Sequence, residues 1–136
     1  MARSSLEAFS ALWRAYGEGR LDQSLDLVDA ECEVTFADGS EPVRGHDGVR
    51  DRLTAAHRQW KTLRIAYDEV FEDHPGCVVG IGHLAASGPD GAHVDRPMAF
   101  VAEFREGRLV RGQVFATRDD AVGAARALRR AERRTA

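Results

Sequence analysis

The stretch Val94-Asp-Arg-Pro-Met-Ala-Phe-Val-Ala-Glu-Phe-Arg-Glu-Gly-Arg-Leu-Val-Arg-Gly-Gln-Val-Phe-Ala116 decides the fold of this chain. Met98, Phe100, Ala102 and Phe104 stand at every second position, the period of a β-strand with one buried face. Glu106-Gly107-Arg108 supplies the hinge, and the pattern resumes from Arg108 to Thr117. Two long strands joined in this way form a curved sheet whose inward side chains can line a cavity.

Upstream, the same period runs through Leu63, Ile65 and Tyr67 and again from Cys77 to Ser87, with turns at His74-Pro75-Gly76 and from Ser87 to Gly91. The N-terminal half reads differently. Ser4 and Glu7 have the spacing of a capping box, and Leu6, Phe9, Leu12, Trp13 and Tyr16 follow at helical spacing until Gly17 and Gly19 end the run. Asp22 is expected to cap a short second helix, a strand is expected over 33–37, a loop over 38–45, and a third helix from about Asp47 to Trp60. Downstream of the hairpin, Thr117 and Asp120 open a last helix over 121–134. The fold class is α+β: a cone-shaped half-barrel in which a curved antiparallel sheet is wrapped by three N-terminal helices and a C-terminal helix, with residues 1–136 expected to form a single domain.

Composition narrows the function. A hydrophobic fraction of 43% and a charged fraction of 30% suit a soluble globular protein, and no apolar run is long enough to span a bilayer. No leader peptide is read at Met1-Ala-Arg-Ser-Ser5, so a cytoplasmic address without membrane contact is expected. The net charge of −3 disfavours a nucleic-acid partner. Cys32 and Cys77 stand apart, outside any zinc spacing, and read as buried free thiols. His46 and His93 have no second ligand at metal spacing, and no dinucleotide fingerprint or phosphate loop occurs; neither metal nor cofactor is expected.

Four stretches, 16–22, 39–50, 104–111 and 114–121, taken in order and spacing, make the chain resemble the nuclear transport factor 2-like superfamily, in particular its SnoaL-like and ketosteroid-isomerase-like branches. The resemblance implies the cone-shaped fold and a homodimer formed through the outer sheet face. It also implies where a steroid isomerase would carry its polar groups. Phe36 stands in place of the base, Leu12 in place of the tyrosine, and Phe100 or Ala102 in place of the late acid. Steroid isomerisation by that machinery is therefore rejected, and the fold is kept.

The remaining candidates come from the residues themselves. Asp38, two residues beyond Phe36, points to the same side nearer the cavity mouth and could act as a displaced general base; equally, it suits an Asp-Gly turn. His83 shares strand parity with Val79 and Ile81, whereas Gly80 and Gly82 take the other face. Because glycines facing the core would leave a void, the Val79, Ile81 and His83 face is expected to fill the cone, which makes His83 a second proton-transfer candidate. Gln113 and Phe115 share a face of the last strand, with Gln113 able to orient a carbonyl. Met98 and Phe100, with Trp13, Tyr16, Phe36, Trp60 and Tyr67, suggest an aromatic lining for a flat apolar ligand, and His57 could reach it from the third helix. The expected activity is cofactor-free acid/base chemistry of isomerase, cyclase or hydrolase type on a hydrophobic, carbonyl-bearing or polycyclic small molecule; the alternative is a non-catalytic ligand-binding or dimeric interaction module of the same fold.

Overall fold

A computed structural model describes residues 4–135. The leader question posed at Met1 to Arg3 lies outside the described residues. Elements follow in the order α1 (Ser5–Gly17), α2 (Leu21–Leu25), β1 (Val28–Phe36), β2 (Val43–Arg44), α3 (Gly45–Gln59), β3 (Thr62–His74), β4 (Cys77–Ser87), β5 (His93–Arg105), β6 (Arg108–Phe115) and α4 (Arg118–Thr135). The six strands form one curved sheet that does not close on itself, in the order β2-β1-β6-β5-β4-β3.

Local chemistry sets most boundaries. At the start of α1 the Glu7 backbone N–H donates to Ser4 Oγ (3.2 Å) while the Ser4 hydroxyl donates to Glu7 Oε1 (3.1 Å). The Asp120 N–H donates to Thr117 Oγ1 (3.1 Å) at the start of α4. Glu106 and Gly107, at φ 54° and 78°, turn the β5–β6 hairpin; two successive left-handed residues match the twist of the strands they join.

Four expectations need correction. The sheet is mixed, since β1 runs parallel to β6. β1 begins at Val28 and not at Glu33, because a register shift between these two residues breaks the alternation that a reading of the sequence relies on. β2, within the expected loop, is too short to show any period. Asp22 does not cap α2; Arg20 holds that position without a side-chain bond, and Asp22 instead accepts from Arg50 Nη2 (2.8 Å), tying α2 to α3.

The sheet separates two apolar clusters. On the inner face Phe9 and Leu12 of α1 meet Val34, Val78, Met98, Phe100 and Leu109. On the outer face Ala121 and Ala125 of α4 lie on Val79, Ala99 and Val101. Small residues at Gly80 and Gly112 leave the inner face open to large rings: a Cβ at Gly80 would stand 2.6 Å from Phe9 Cζ and 2.8 Å from the Tyr67 ring, and one at Gly112 2.5 Å from Phe100 Cζ. Among the described residues no helix is long and apolar enough to cross a membrane. Cys32 and Cys77 are buried free thiols.

Candidate functional site

α3 covers the inner face of β1 yet buries none of its residues fully, because its apolar side chains hang over a cavity of about 900 Å³. Val49, Leu53 and Ala56 form the roof; Val34, Ile65, Leu84 and Met98 form the floor. Of the expected lining, Trp13, Tyr16, Phe36, Trp60, Met98 and Phe100 border this space, as does Phe115 at its edge. Leu12, Phe36 and Phe100, where a steroid isomerase would present polar groups, all face the cavity as hydrocarbon.

Trp13 is the hub of the wall. Its ring packs edge-on against Tyr16 (5.7 Å between centroids), Tyr67 (5.2 Å) and Phe100 (5.4 Å). Tyr67 lies behind Trp13, against Phe9 and Gly80, and does not border the cavity. Burial raises the Tyr67 phenol well above its ordinary value, and the neighbouring Tyr16 raises it further. Neither the Tyr67 hydroxyl nor Trp13 Nε1, both buried, has a hydrogen-bond partner among the described residues.

Tyr16 carries the one cavity-lining hydroxyl that is tied to an imidazole. Its oxygen stands 3.0 Å from His57 Nε2 on α3, in a hydrogen bond whose donor depends on the imidazole tautomer. Burial raises the Tyr16 phenol above its ordinary value, so it stays protonated near neutrality. His57 itself is exposed and reaches the cavity only through Tyr16. His46, in contrast, is structural: its Nε2–H donates to the Val28 carbonyl (2.6 Å).

Asp38 borders the cavity mouth but serves its own turn. Its Oδ1 accepts from the Ser40 hydroxyl (2.6 Å) and the Ser40 N–H (2.9 Å) across Gly39, whose φ of 85° the turn requires. These bonds, side chain first, hold the carboxyl below its ordinary value, with help from Arg52 and Arg96. A carboxylate so stabilised is a weak base.

His83 is not in the cavity. Val79 and Ile81 belong to the outer cluster beneath α4, and His83, which shares their face, is exposed with Nδ1 3.2 Å from Asp68 Oδ2. The void argument reversed the faces: the space opposite Gly80 is filled by rings from α1 and β3, so the glycines mark the core side. Gln113, on β6, also lies outside the cavity. It pairs with Val101 of the outer cluster and borders no part of the cavity; its Oε1 is buried without a partner among the described residues.

Two residues at the mouth escaped the sequence reading. Arg96 shares a face of β5 with Met98 and Phe100, and Arg52 falls between Val49 and Ala56 on the inward stripe of α3. Both spacings are visible in the sequence. Among the described residues no cluster of His, Cys, Asp and Glu could hold a metal ion.

A family model described as a SnoaL-like domain matches residues 7–112. No curated protein matches the sequence. Solved structures of similar shape include an NTF2-like protein from Burkholderia thailandensis, 18% identical, with a TM-score of 0.77 over 90% of this chain and 97% of that one. TerC, co-crystallised with polyporic acid, is 16% identical, with a TM-score of 0.75 over 88% and 98%. A protein from Jannaschia sp. CCS1, assigned as a SnoaL-like polyketide cyclase, is 18% identical, with a TM-score of 0.72 over 89% and 90%. At these identities the likeness is one of fold.

Proposed function

Since the chain belongs to the SnoaL-like domain family, we propose that it binds a flat, apolar, carbonyl-bearing small molecule beneath α3 and exchanges a proton with it through Tyr16. The observation that carries this reading is the Tyr16–His57 hydrogen bond on an otherwise apolar wall. In the tautomer with a proton on Nε2, His57 donates to the Tyr16 oxygen, leaving the phenol proton free to turn toward a carbonyl or enolate oxygen in the cavity. As water in the cavity takes the proton from the carbon beside the carbonyl, Tyr16 hands its own proton to the carbonyl oxygen and recovers one from His57 Nε2, while Nδ1 of this exposed imidazole takes up a proton from solvent. Trp13, Phe36 and Phe100 supply flat surface for the ligand. The aromatic walls and the SnoaL-like polyketide cyclase among the proteins of similar fold support a carbonyl-rich, ring-bearing substrate.

The test is deuterium exchange at the carbon beside the carbonyl of 2-tetralone, followed by NMR. Wild-type protein should accelerate exchange over buffer, and Tyr16→Phe should lower the acceleration by about 10²-fold, with His57→Gln in between. No acceleration by wild type, or an unchanged rate in Tyr16→Phe, would overturn the catalytic reading.

A second reading, a binding module without chemistry, is favoured by Leu12, Phe36 and Phe100 standing where isomerase polar groups would be. Saturable quenching of Trp13 and Trp60 by 2-tetralone, without any exchange, would select it.

A further inference from the structure

The cavity mouth carries charge that the proton relay does not use. Arg52 lays its guanidinium over the Phe36 ring, 4.1 Å from the centroid, and Phe36 is itself a cavity wall. Arg96 lines the cavity from β5, on the same strand face as Met98 and Phe100, and is exposed. Both arginines act electrostatically on Asp38, which places them about one sector of the rim. Neither forms an ion pair with a carboxylate among the described residues, although Arg44, Arg50, Arg111 and Arg118 all do.

Two acids share this mouth. Asp38 spends Oδ1 on Ser40, and Asp120 stands at the start of α4, where its own N–H is held by Thr117. Their presence evens out the net charge of the rim but leaves the guanidinium forks unpaired. A guanidinium fixed on an aromatic face keeps its N–H edge available, and that edge matches the two oxygens of a carboxylate or the paired oxygens of an ionised hydroxy-carbonyl.

We infer that Arg52 and Arg96 receive an anionic group of the ligand, so that the substrate class is a flat aromatic acid held ring-inward against Phe36 and Phe100 with its acidic oxygens at the mouth. The inference rests on the cavity reading above and fixes the orientation of the ligand within it. An acid anchored at the mouth by two cations cannot enter acid-first, which leaves the far, ring end of the molecule to meet Trp13 and Tyr16. Arg52 thereby presents its donors beside the Phe36 wall.

Three probes of one shape separate the outcomes: 2-naphthoate, 2-naphthamide and 2-naphthylmethylamine, each titrated by quenching of the cavity tryptophans Trp13 and Trp60. Wild-type protein should bind the acid about tenfold more tightly than the amide, and the amine most weakly. The preference should shrink as salt is added. Arg52→Gln and Arg96→Gln should each reduce the acid-to-amide ratio, and the double variant should bring it close to one while amide affinity holds. Arg96→Lys should retain part of the ratio, because charge is kept and the fork is lost. Circular dichroism of each variant checks that it folds. Equal affinity for acid and amide, a preference for the amine, or a ratio that survives in the double variant would overturn the inference and leave the cavity reading standing. Binding of none of the three would overturn both.

Discussion

The inner and outer faces of the sheet use opposite means to fill space. On the outer face, small and β-branched side chains of the strands lie flush beneath α4, which meets them through Ala121 and Ala125. On the inner face the strands give space away at Gly80 and Gly112, and rings carried by α1, β3 and β5 move in. The outer contact has a fully buried centre of small and β-branched residues. The inner one is uneven: dense around Phe9, Tyr67 and Trp13, and hollow under α3, where the helix keeps its apolar stripe half-buried above a cavity. A sheet that commits its large side chains to one end of a face leaves the other end open.

The largest test of this contrast is removal of the ring that fills the space above Gly80. Phe9→Ala should cost about 4 kcal/mol, since Phe9 is fully enclosed and its loss leaves a cavity beside Tyr67. Gly80→Ala should cost about 2 kcal/mol by overpacking, because the new methyl meets Phe9 and Tyr67. In the Phe9→Ala background that second cost should fall by roughly 1 kcal/mol, Tyr67 still being present. Guanidinium unfolding of the two single variants and the double gives all three values. An unchanged cost of Gly80→Ala would show that the Tyr67 ring, and not Phe9, excludes a side chain there.

The same glycines explain what was legible in the sequence. The element order, the β4 boundaries, the hairpin at Glu106-Gly107 and both capped helix starts rest on residues adjacent in the chain, where period and capping chemistry act directly. The choice of which strand face is the core depends on what arrives from elsewhere. Val79 and Ile81 look like core, and they are, but of the layer under α4. His83 was carried to the wrong side with them, because parity transmits a misjudged face to every second residue of its strand. Met98 and Phe100 border the cavity for the converse reason: the bulky side chains of β5 stand on that face, and Ala99 and Val101 lie on the other, beneath α4.

Filling the outer layer should cost less than emptying the inner one. Ala125→Leu, at a fully buried position of α4 in the outer cluster, should destabilise by about 2 kcal/mol, since the helix can move away from the strands as a unit. Quenching of Trp13 and Trp60 by 2-naphthamide should be unaffected. A change in that affinity would show that the two faces are coupled through the strands, and the contrast between them would fail.

The smallest effect concerns a charge that the outer face buries poorly. Glu103 shares that face with Val101 and Cys77; its Oε2 is buried without a hydrogen bond, the nearest guanidinium nitrogen of Arg111 standing 3.5 Å away. Burial raises the carboxyl above its ordinary value of 4.5, against the opposing pull of Arg111. A carboxyl raised in the folded state favours folding while it is protonated, and that contribution is present below the ordinary value and lost as the pH rises through the folded one. Glu103→Gln keeps the neutral form at every pH. The variant should match wild type at about pH 4 and gain up to about 1 kcal/mol at about pH 7, read from urea midpoints. A loss at the higher pH would mean that attraction to Arg111 outweighs the cost of burying the charge, and that the outer layer is held by an ion pair as well as by the fit of α4.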